Sequence, residues 1–211
     1  TPMASLTKIM TTIVAIENCP DLNKKVVYSK SMRSDIDFDA SLSGLIENQE
    51  YTVRDLLYAT MLPSGADATN ALAFAVSGSI QDFVDLMNKK AISLGMTNTH
   101  YVNTHGLDRD NHYSSVNDLF TLLKYALNNN IFRTVFTSNE YTLSNGLVVS
   151  GPTGKFNSGL NQYNGSILGV KTGYTKKAGY SAATLFTNKG HEYILVTTEG
   201  RDVINHKGPN Q

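Results

Sequence analysis

The hydrophobic pattern of this 211-residue chain changes once, near residue 141. Before that point, apolar residues recur at spacings of three and four, which is typical of amphipathic helices. After it, short strand-like runs alternate with turn residues, as at Asn145-Gly146 and at 188–190. Helices followed by consecutive strands, instead of alternating with them, predict an α+β fold with an antiparallel sheet.

The pattern predicts where individual elements lie. Helices are expected over 1–17, 51–61, 66–76, 80–94 and 116–128. Strands are expected over 25–29, 167–174, 180–187 and 192–198, with a hairpin over 142–149. Thr52 is expected to cap the second helix, and Asn145-Gly146 predicts a type I′ turn in the hairpin.

Composition excludes several classes of function. The 18 Lys and Arg side chains balance 18 Asp and Glu side chains, so no basic surface predicts a nucleic-acid partner. The apolar runs are shorter than the roughly 20 residues that cross a bilayer. Membrane association is therefore expected only through segments absent from this chain. Cys19 is the only cysteine, which excludes an internal disulfide and a cysteine-based zinc cluster.

The first predicted helix carries Ser5 and Lys8, three residues apart. Residues at that spacing are neighbours on a helix surface. A lysine whose pKa is lowered by burial or by another cation can accept a hydroxyl proton, so the pair is a candidate nucleophile and base. The positive end of the helix would favour negative charge near Ser5. Because about one Ser-x-x-Lys occurs by chance in a chain of this size, the motif alone carries little weight.

Two further motifs make the catalytic interpretation of Ser5 and Lys8 more specific. Ser64-Gly65-Ala66 lies at a predicted turn between helices, and Lys171-Thr172-Gly173 lies on a predicted strand. A Lys-Thr-Gly match arises by chance in well under about one chain in ten. The three motifs in this order are typical of penicillin-binding proteins and class A β-lactamases.

On these motifs the chain resembles the low-molecular-mass penicillin-binding proteins, specifically the D-alanyl-D-alanine carboxypeptidases of serine peptidase family S11. The likeness extends to the stretches ASLTKIMT, YTVRDLLYATMLPSGADA, MNKKAISLGMTNTHYVNTHGL, HYSSVNDL and GVKTGYTKKAGY. It implies a penicillin-binding-protein/serine β-lactamase-like transpeptidase fold, with an antiparallel sheet packed against helices. Residues 1–211 would form a single D,D-peptidase catalytic domain, with a mainly helical part at about 51–136.

The resemblance also implies catalytic roles. Ser5 would be the acylated nucleophile and Lys8 its general base. Ser64 would relay a proton toward the leaving D-alanine. These side chains and backbone donors would catalyse peptide hydrolysis without a metal or a cofactor.

Substrate-binding roles are implied for the third motif. Lys171 would raise the positive potential and, with Thr172, would engage the terminal carboxylate of the substrate. Gly173 would let the substrate approach the strand edge closely. The backbone N–H groups of Ser5 and Tyr174 would form the oxyanion hole, and the substrate would dock along the strand as an added strand.

The function that the resemblance implies is removal of the terminal D-alanine from peptidoglycan stem peptides through an acyl-enzyme on Ser5. β-Lactam antibiotics would acylate the same serine, and the site of action would be extracytoplasmic. A D,D-endopeptidase using the same residues stays open, as does a weakly active or non-catalytic penicillin- or peptidoglycan-binding module. A serine β-lactamase is disfavoured because no Glu-x-x-Leu-Asn-like segment supplies a deacylating carboxylate.

Two features depart from the family pattern. Ala66 stands where the second motif usually has Asn, whose amide could bind the substrate or the catalytic lysine. Asn70, one turn further on, is a weaker candidate for that task. Relatives also have about two strands before the first motif and another element after the last hairpin, so the sheet is expected to have an exposed edge or face.

The loop at 105–112 also invites a metal interpretation. His105, Asp108 and His112 are residue types found among zinc ligands. A third histidine and a catalytic carboxylate in a recognisable pattern are lacking, so structural roles are expected for the histidines.

Overall fold

A computed structural model describes residues 1–158 and 165–201 of the chain. The helices in that part are α1 (Thr7–Asn18), α2 (Val53–Met61), α3 (Ala66–Ser77), α4 (Ile80–Ser93), α5 (Val116–Ala126), α6 (Asn130–Thr137) and α7 (Thr153–Ser158). The strands are β1 (Lys25–Val27), β2 (Glu50–Thr52), β3 (Glu140–Thr142), β4 (Val148–Ser150), β5 (Gly165–Thr175), β6 (Gly179–Asn188) and β7 (His191–Gly200). Short 3₁₀ helices cover Ala4–Leu6 and Lys30–Arg33.

Helix α1 is the central element of the helical part. Its residues from 7 to 16 are all buried, and it packs against α2, α3, α4, α5 and α6. Its apolar side chains and its buried Thr and Lys side chains are thus enclosed on every side by other elements. The residues at its N-terminal end are therefore held by most of the fold.

The predicted start of this helix, at residue 1, is wrong. Ala4 has φ +46°, a left-handed conformation that an L-residue cannot keep inside a right-handed helix. The chain instead forms a 3₁₀ turn at Ala4–Leu6 and becomes α-helical only at Thr7. Pro2 consequently precedes the helix.

The sheet that borders the helices is antiparallel and runs in the order β5-β6-β7. Each of the three predicted strands is present and is longer than predicted. Ala183 and Leu185 on β6 are buried in the common core. Within the described residues, β6 is the only strand that pairs with β5. The Asn157 side chain bonds to the N–H and the carbonyl oxygen of Ile167, and the rest of the other edge has no strand partner.

One face of β7 stays partly uncovered. Ile194 and Val196 pack against the core, so Tyr193 and Leu195 point to the opposite face. Tyr193 stacks on Phe186, yet about half of the surface of Tyr193 and of Leu195 is exposed. None of the helices in the described ranges is long and apolar enough to cross a bilayer.

Capping and turn residues predicted some of the local structure correctly and some of it incorrectly. Thr52 caps α2 as predicted, and Asp55 completes a capping box with it. Helix α6 was not predicted, although Asn129 caps it through the N–H groups of its first turn. The prediction of a type I′ turn is wrong. Such a turn needs positive φ at both central residues, but Gly146 has positive φ and Asn145 does not.

Candidate active site

The first component of the site is the Ser5–Lys8 pair at the start of α1. Nζ of Lys8 lies 2.9 Å from Oγ of Ser5 and 2.7 Å from the carbonyl oxygen of His105. Lys8 is only 2% exposed. Burial lowers the pKa of Lys8 well below its usual value, and the charge of Lys171 lowers it further, while Asp67 opposes the shift in part. A neutral amine beside a serine hydroxyl can accept its proton.

The second component is the turn between α2 and α3. Ser64 has φ +64°, and a Cβ on the next residue, Gly65, would lie 2.5 Å from Ser43 Cβ and 2.7 Å from the Ala59 carbonyl oxygen. Only glycine fits there, so the backbone is fixed on both sides of the Ser64 side chain. Oγ of Ser64 accepts a hydrogen bond from Nζ of Lys171 at 2.9 Å.

Lys171 is the third component and joins the sheet to that turn. It lies on β5, is 2% exposed, and also donates to the carbonyl oxygen of Thr172 at 2.8 Å. Burial lowers the pKa of Lys171 to about 7. Lys171 therefore gains or loses its positive charge near neutral pH, which is uncommon for a lysine.

At Gly173, strand β5 lies directly against the backbone of Ser5. A Cβ on Gly173 would lie 2.8 Å from the backbone nitrogen of Ser5 and 3.0 Å from Cβ of Ala4. The sequence-based reason for this glycine was close approach by substrate. The structure gives a different one, because the 3₁₀ turn of the protein itself already occupies that space. Tyr174, the next residue, is 57% exposed beside it.

Two cavities meet at Ser5. One, of about 330 Å³, is lined by Lys8, Ala66, the loop at 105–108 and the end of β5. The other, of about 730 Å³, is lined by Ser64, Phe156 and the start of β6. Ser5 lines both, so a bound chain could pass over the hydroxyl with one part in each cavity.

One wall of the smaller cavity includes Asp37 and is held by contacts that the sequence did not indicate. Arg109 donates to both carboxylate oxygens of Asp37, at 2.9 and 3.0 Å, and to the Asp35 carbonyl oxygen. Asp35 also binds Nε2 of His105 at 3.2 Å. These contacts tie segment 35–41 to the loop that receives Lys8. These hydrogen bonds join polar loops about 70 residues apart, so no local sequence pattern predicts them.

The histidines of the 105–112 loop make buried structural contacts. His105 bonds to Asp35 and accepts from the Leu107 N–H. His112 bonds to Thr7 and to the Val102 N–H. Asp108 accepts from the Thr175 hydroxyl. No three potential metal ligands group together within residues 1–158 and 165–201.

Asn70 does not take the place of the missing motif asparagine. Its side-chain nitrogen donates to the Met32 carbonyl and to Asp35, and its side-chain oxygen accepts from Thr104. Both ends of the amide are thus occupied away from Ser5. Ala66 lines the smaller cavity with a methyl group only.

Comparison with known proteins shows the family of this chain. Residues 1–202 match the family Peptidase_S11, described as D-alanyl-D-alanine carboxypeptidase. The chain belongs to this family. It is 36% identical over 208 residues to the D-alanyl-D-alanine carboxypeptidase DacF of Bacillus subtilis, covering 93% of this chain and 50% of that protein. It is also 36% identical to the D-alanyl-D-alanine carboxypeptidase of Streptomyces sp. strain K15, covering 90% of this chain and 69% of the relative. The chain thus spans about half the length of DacF.

Solved structures of S11-like enzymes confirm the predicted fold. A D-alanyl-D-alanine carboxypeptidase from Mycobacterium tuberculosis superposes with a TM-score of 0.82 at 29% identity, over 95% of this chain and 74% of that one. The Streptomyces K15 DD-transpeptidase superposes with a TM-score of 0.81 at 33% identity, over 93% and 80%. The α+β penicillin-binding-protein fold is therefore the fold of this chain.

Proposed function

We propose that this S11 chain is the catalytic domain of a serine D,D-carboxypeptidase that removes the terminal D-alanine from peptidoglycan stem peptides. The observation that carries the proposal is the pairing of a buried Lys8 with Ser5 at 2.9 Å. In the second pair, Nζ of Lys171 also lies 2.9 Å from Oγ of Ser64, and Ser64 lines the same cavity as Ser5. Together they supply a base, a nucleophile, a proton donor and a cation.

Acylation follows from these positions. Neutral Lys8 takes the proton of Ser5 while Oγ attacks the carbonyl carbon of the scissile amide. The backbone N–H groups of Ser5 and Tyr174 receive the negative charge of the tetrahedral intermediate. Ser64 then donates its hydroxyl proton to the leaving nitrogen and receives the proton that Lys8 took from Ser5, so Lys8 is neutral again and Lys171 keeps its charge. The C–N bond breaks, D-alanine departs, and an ester remains on Ser5.

Deacylation uses the same base. Neutral Lys8 takes a proton from water while the water oxygen adds to the ester carbonyl carbon, and it gives that proton to Oγ of Ser5 as the ester C–O bond breaks. A β-lactam ring contains the same kind of amide, so it would acylate Ser5 by the same first step. Because its leaving nitrogen stays tethered, the departing group would remain in the site and oppose attack by water.

Substrate orientation rests on β5. The positive charge of Lys171 and the hydroxyl of Thr172 would bind the terminal carboxylate. The open edge of β5 would pair with the backbone of the stem peptide as an added strand. Peptidoglycan lies outside the cytoplasmic membrane, so the proposed site of action is extracytoplasmic.

Endopeptidase action is the second candidate. The cavity beside Ser64 holds about 730 Å³, and it lies on the side where the leaving amine would be protonated. That space would admit an amine larger than D-alanine, such as the one released from a peptide cross-link. One relative of this chain, 29% identical over 215 residues, is named the D-alanyl-D-alanine endopeptidase of Escherichia coli.

The direct test is release of D-alanine from a diacylated peptide ending in D-Ala-D-Ala. Wild type should release D-alanine, and both Ser5→Ala and Lys8→Gln should not. A cross-linked peptide dimer in the same assay separates the two candidates, since only an endopeptidase converts it to monomers. Folded wild type that releases neither product would favour a non-catalytic binding module.

A further inference from the structure

A buried chain of hydrogen bonds reaches the residue before Ser5 from behind the active site. The Val102 N–H donates to Nδ1 of His112 at 3.1 Å. Nε2 of His112 lies 2.9 Å from the Thr7 hydroxyl oxygen, and that hydroxyl donates to the Ala4 carbonyl oxygen at 2.9 Å. The proposed reaction does not use the side chains of His112 or Thr7.

The direction of this chain is determined by its first member. A backbone N–H can only donate, so Nδ1 of His112 must accept and its ring proton must lie on Nε2. Nε2 therefore donates to Thr7, whose own proton is free to go to Ala4. Burial, with smaller contributions from His105, His100 and Arg109, lowers the pKa of His112 to about 3. The ring is consequently neutral at neutral pH, as this direction requires.

The carbonyl that ends the chain belongs to the same peptide unit as the Ser5 N–H. The chain contains no cis peptide bond in the part described, and a trans peptide directs its C=O and N–H to opposite sides. Holding the Ala4 oxygen against Thr7 therefore turns the Ser5 N–H the other way. The nitrogen lies close to Gly173 on β5, where an added Cβ would be 2.8 Å away.

This peptide unit needs external support. Ala4 has φ +46°, a conformation that is unfavourable for a residue with a Cβ. The Thr7 backbone N–H donates to the same carbonyl oxygen. Gly106 closes the other side, because a Cβ there would lie 1.9 Å from the Ala4 oxygen. Ala4 and Thr7 are at most 1% exposed and His112 is 4% exposed, so water does not compete for these bonds.

We propose that Thr7 and His112 are positioning residues for the oxyanion hole. By hydrogen-bonding the Ala4 carbonyl, they fix the Ala4–Ser5 peptide and polarise its N–H toward the negative charge that develops on the substrate. Hydrogen bonds in series strengthen one another, so the donor gains strength as well as direction. This inference rests on the proposed acyl transfer at Ser5.

The test compares Thr7→Val, which has the shape of threonine without the hydroxyl, with Thr7→Ser, which keeps the hydroxyl. The readouts are the acylation rate constant with a fluorescent penicillin and the infrared carbonyl band of the resulting ester. Loss of a whole oxyanion donor costs about 10²- to 10³-fold. Since the Ser5 N–H itself stays in Thr7→Val, a fall of about tenfold is expected. Its ester band should move to higher wavenumber, while Thr7→Ser should match wild type in both readouts.

The outcomes separate this inference from the proposed function. Wild type acylated at Ser5, with Thr7→Val matching it in rate and carbonyl band, would overturn the positioning role alone. Wild type that is never acylated would overturn both. Thr7→Val that only melts at lower temperature, with an unchanged band, would show a structural role and reject positioning.

A measurement on wild-type protein tests the direction of the hydrogen-bond chain even if a variant does not fold. Nitrogen-15 NMR of wild type at neutral pH should show His112 protonated on Nε2 only. A ring protonated on Nδ1 could not accept from Val102 and donate to Thr7, so that result would overturn the proposed direction of the chain.

Discussion

Nζ of Lys171 lies 2.9 Å from the hydroxyl oxygen of Ser64, which joins the middle of β5 to the turn between α2 and α3. The two residues are 107 positions apart in the chain. Lys8 approaches the same region from α1. Each serine is therefore hydrogen-bonded to one buried lysine, Ser5 to Lys8 and Ser64 to Lys171. Repulsion between the two ammonium groups favours the state in which only one lysine is charged.

The first prediction concerns pH. Lys8 must be neutral to accept a proton, so the acylation rate should rise as pH increases through its lowered pKa. Lys171 must be charged to attract the substrate carboxylate, and its charge is lost as pH rises through about 7. The rate constant for acylation by a penicillin should therefore pass through a maximum. A stopped-flow pH series measures it.

A penicillin methyl ester provides the control for that series. Without a carboxylate, it should react more slowly and should lack the alkaline fall. If the free acid shows no fall a full unit above the pKa of Lys171, the assignment of Lys171 to carboxylate recognition is wrong.

The second prediction tests the contact between β5 and the nucleophile. In Gly173→Ala the new methyl group would lie 2.8 Å from the Ser5 nitrogen, so the oxyanion donor must shift. Acylation should fall by about 100-fold or more, the cost of losing one oxyanion donor. Gly154→Ala is the matched control, since a Cβ there meets nothing within 4 Å. Wild-type labelling by Gly173→Ala would contradict the geometry.

The third prediction restores the motif residue that this chain lacks. Ala66 lines a cavity of about 330 Å³ next to Lys8, which leaves room for an amide. In Ala66→Asn one added hydrogen bond to the substrate should raise the acylation rate by about 2- to 10-fold. Ala66→Leu, of similar size but without the amide, should not exceed wild type. An equal effect of both changes would exclude hydrogen bonding as the cause.

The fourth prediction concerns stability. Asp55 is 1% exposed and accepts from the Thr52 N–H at 3.0 Å, the Ser144 N–H at 3.1 Å and the Ser144 hydroxyl. Asp55→Ala leaves these donors without the carboxylate, so the free energy of unfolding should fall by roughly 3 kcal/mol. Asp85→Ala, at an exposed site on α4, should change it by less than about 0.5 kcal/mol. Urea denaturation compares the two, and equal midpoints would contradict the role of Asp55.

The sequence predicted those features that depend on local pattern. Apolar spacing located the helices around α1, and the capping residue Thr52 marked the start of α2. Turn residues and strand composition located β5, β6 and β7. The motifs placed Ser5, Lys8, Ser64 and Lys171 in one site through family resemblance, and the structure brings these four together.

What the sequence did not predict depends on contacts across long separations. The left-handed Ala4 is held by Thr7 and by Gly106 from a distant loop. The Arg109–Asp37 ion pair, 72 positions apart, closes one wall of the site from polar loops with no periodicity. The steric reason for Gly173 also became visible only when Ser5 was placed against it.

The most direct measurement is intact-mass spectrometry after incubation with a penicillin, followed by peptide mapping of the adduct. Wild type should gain one penicillin on the peptide that contains Ser5, and Ser5→Ala should gain none. Ser41→Ala is the matched control: Ser41 lines the same two cavities and should be dispensable for labelling. An adduct that persists in Ser5→Ala, or folded wild type that takes none, would contradict acyl transfer at Ser5.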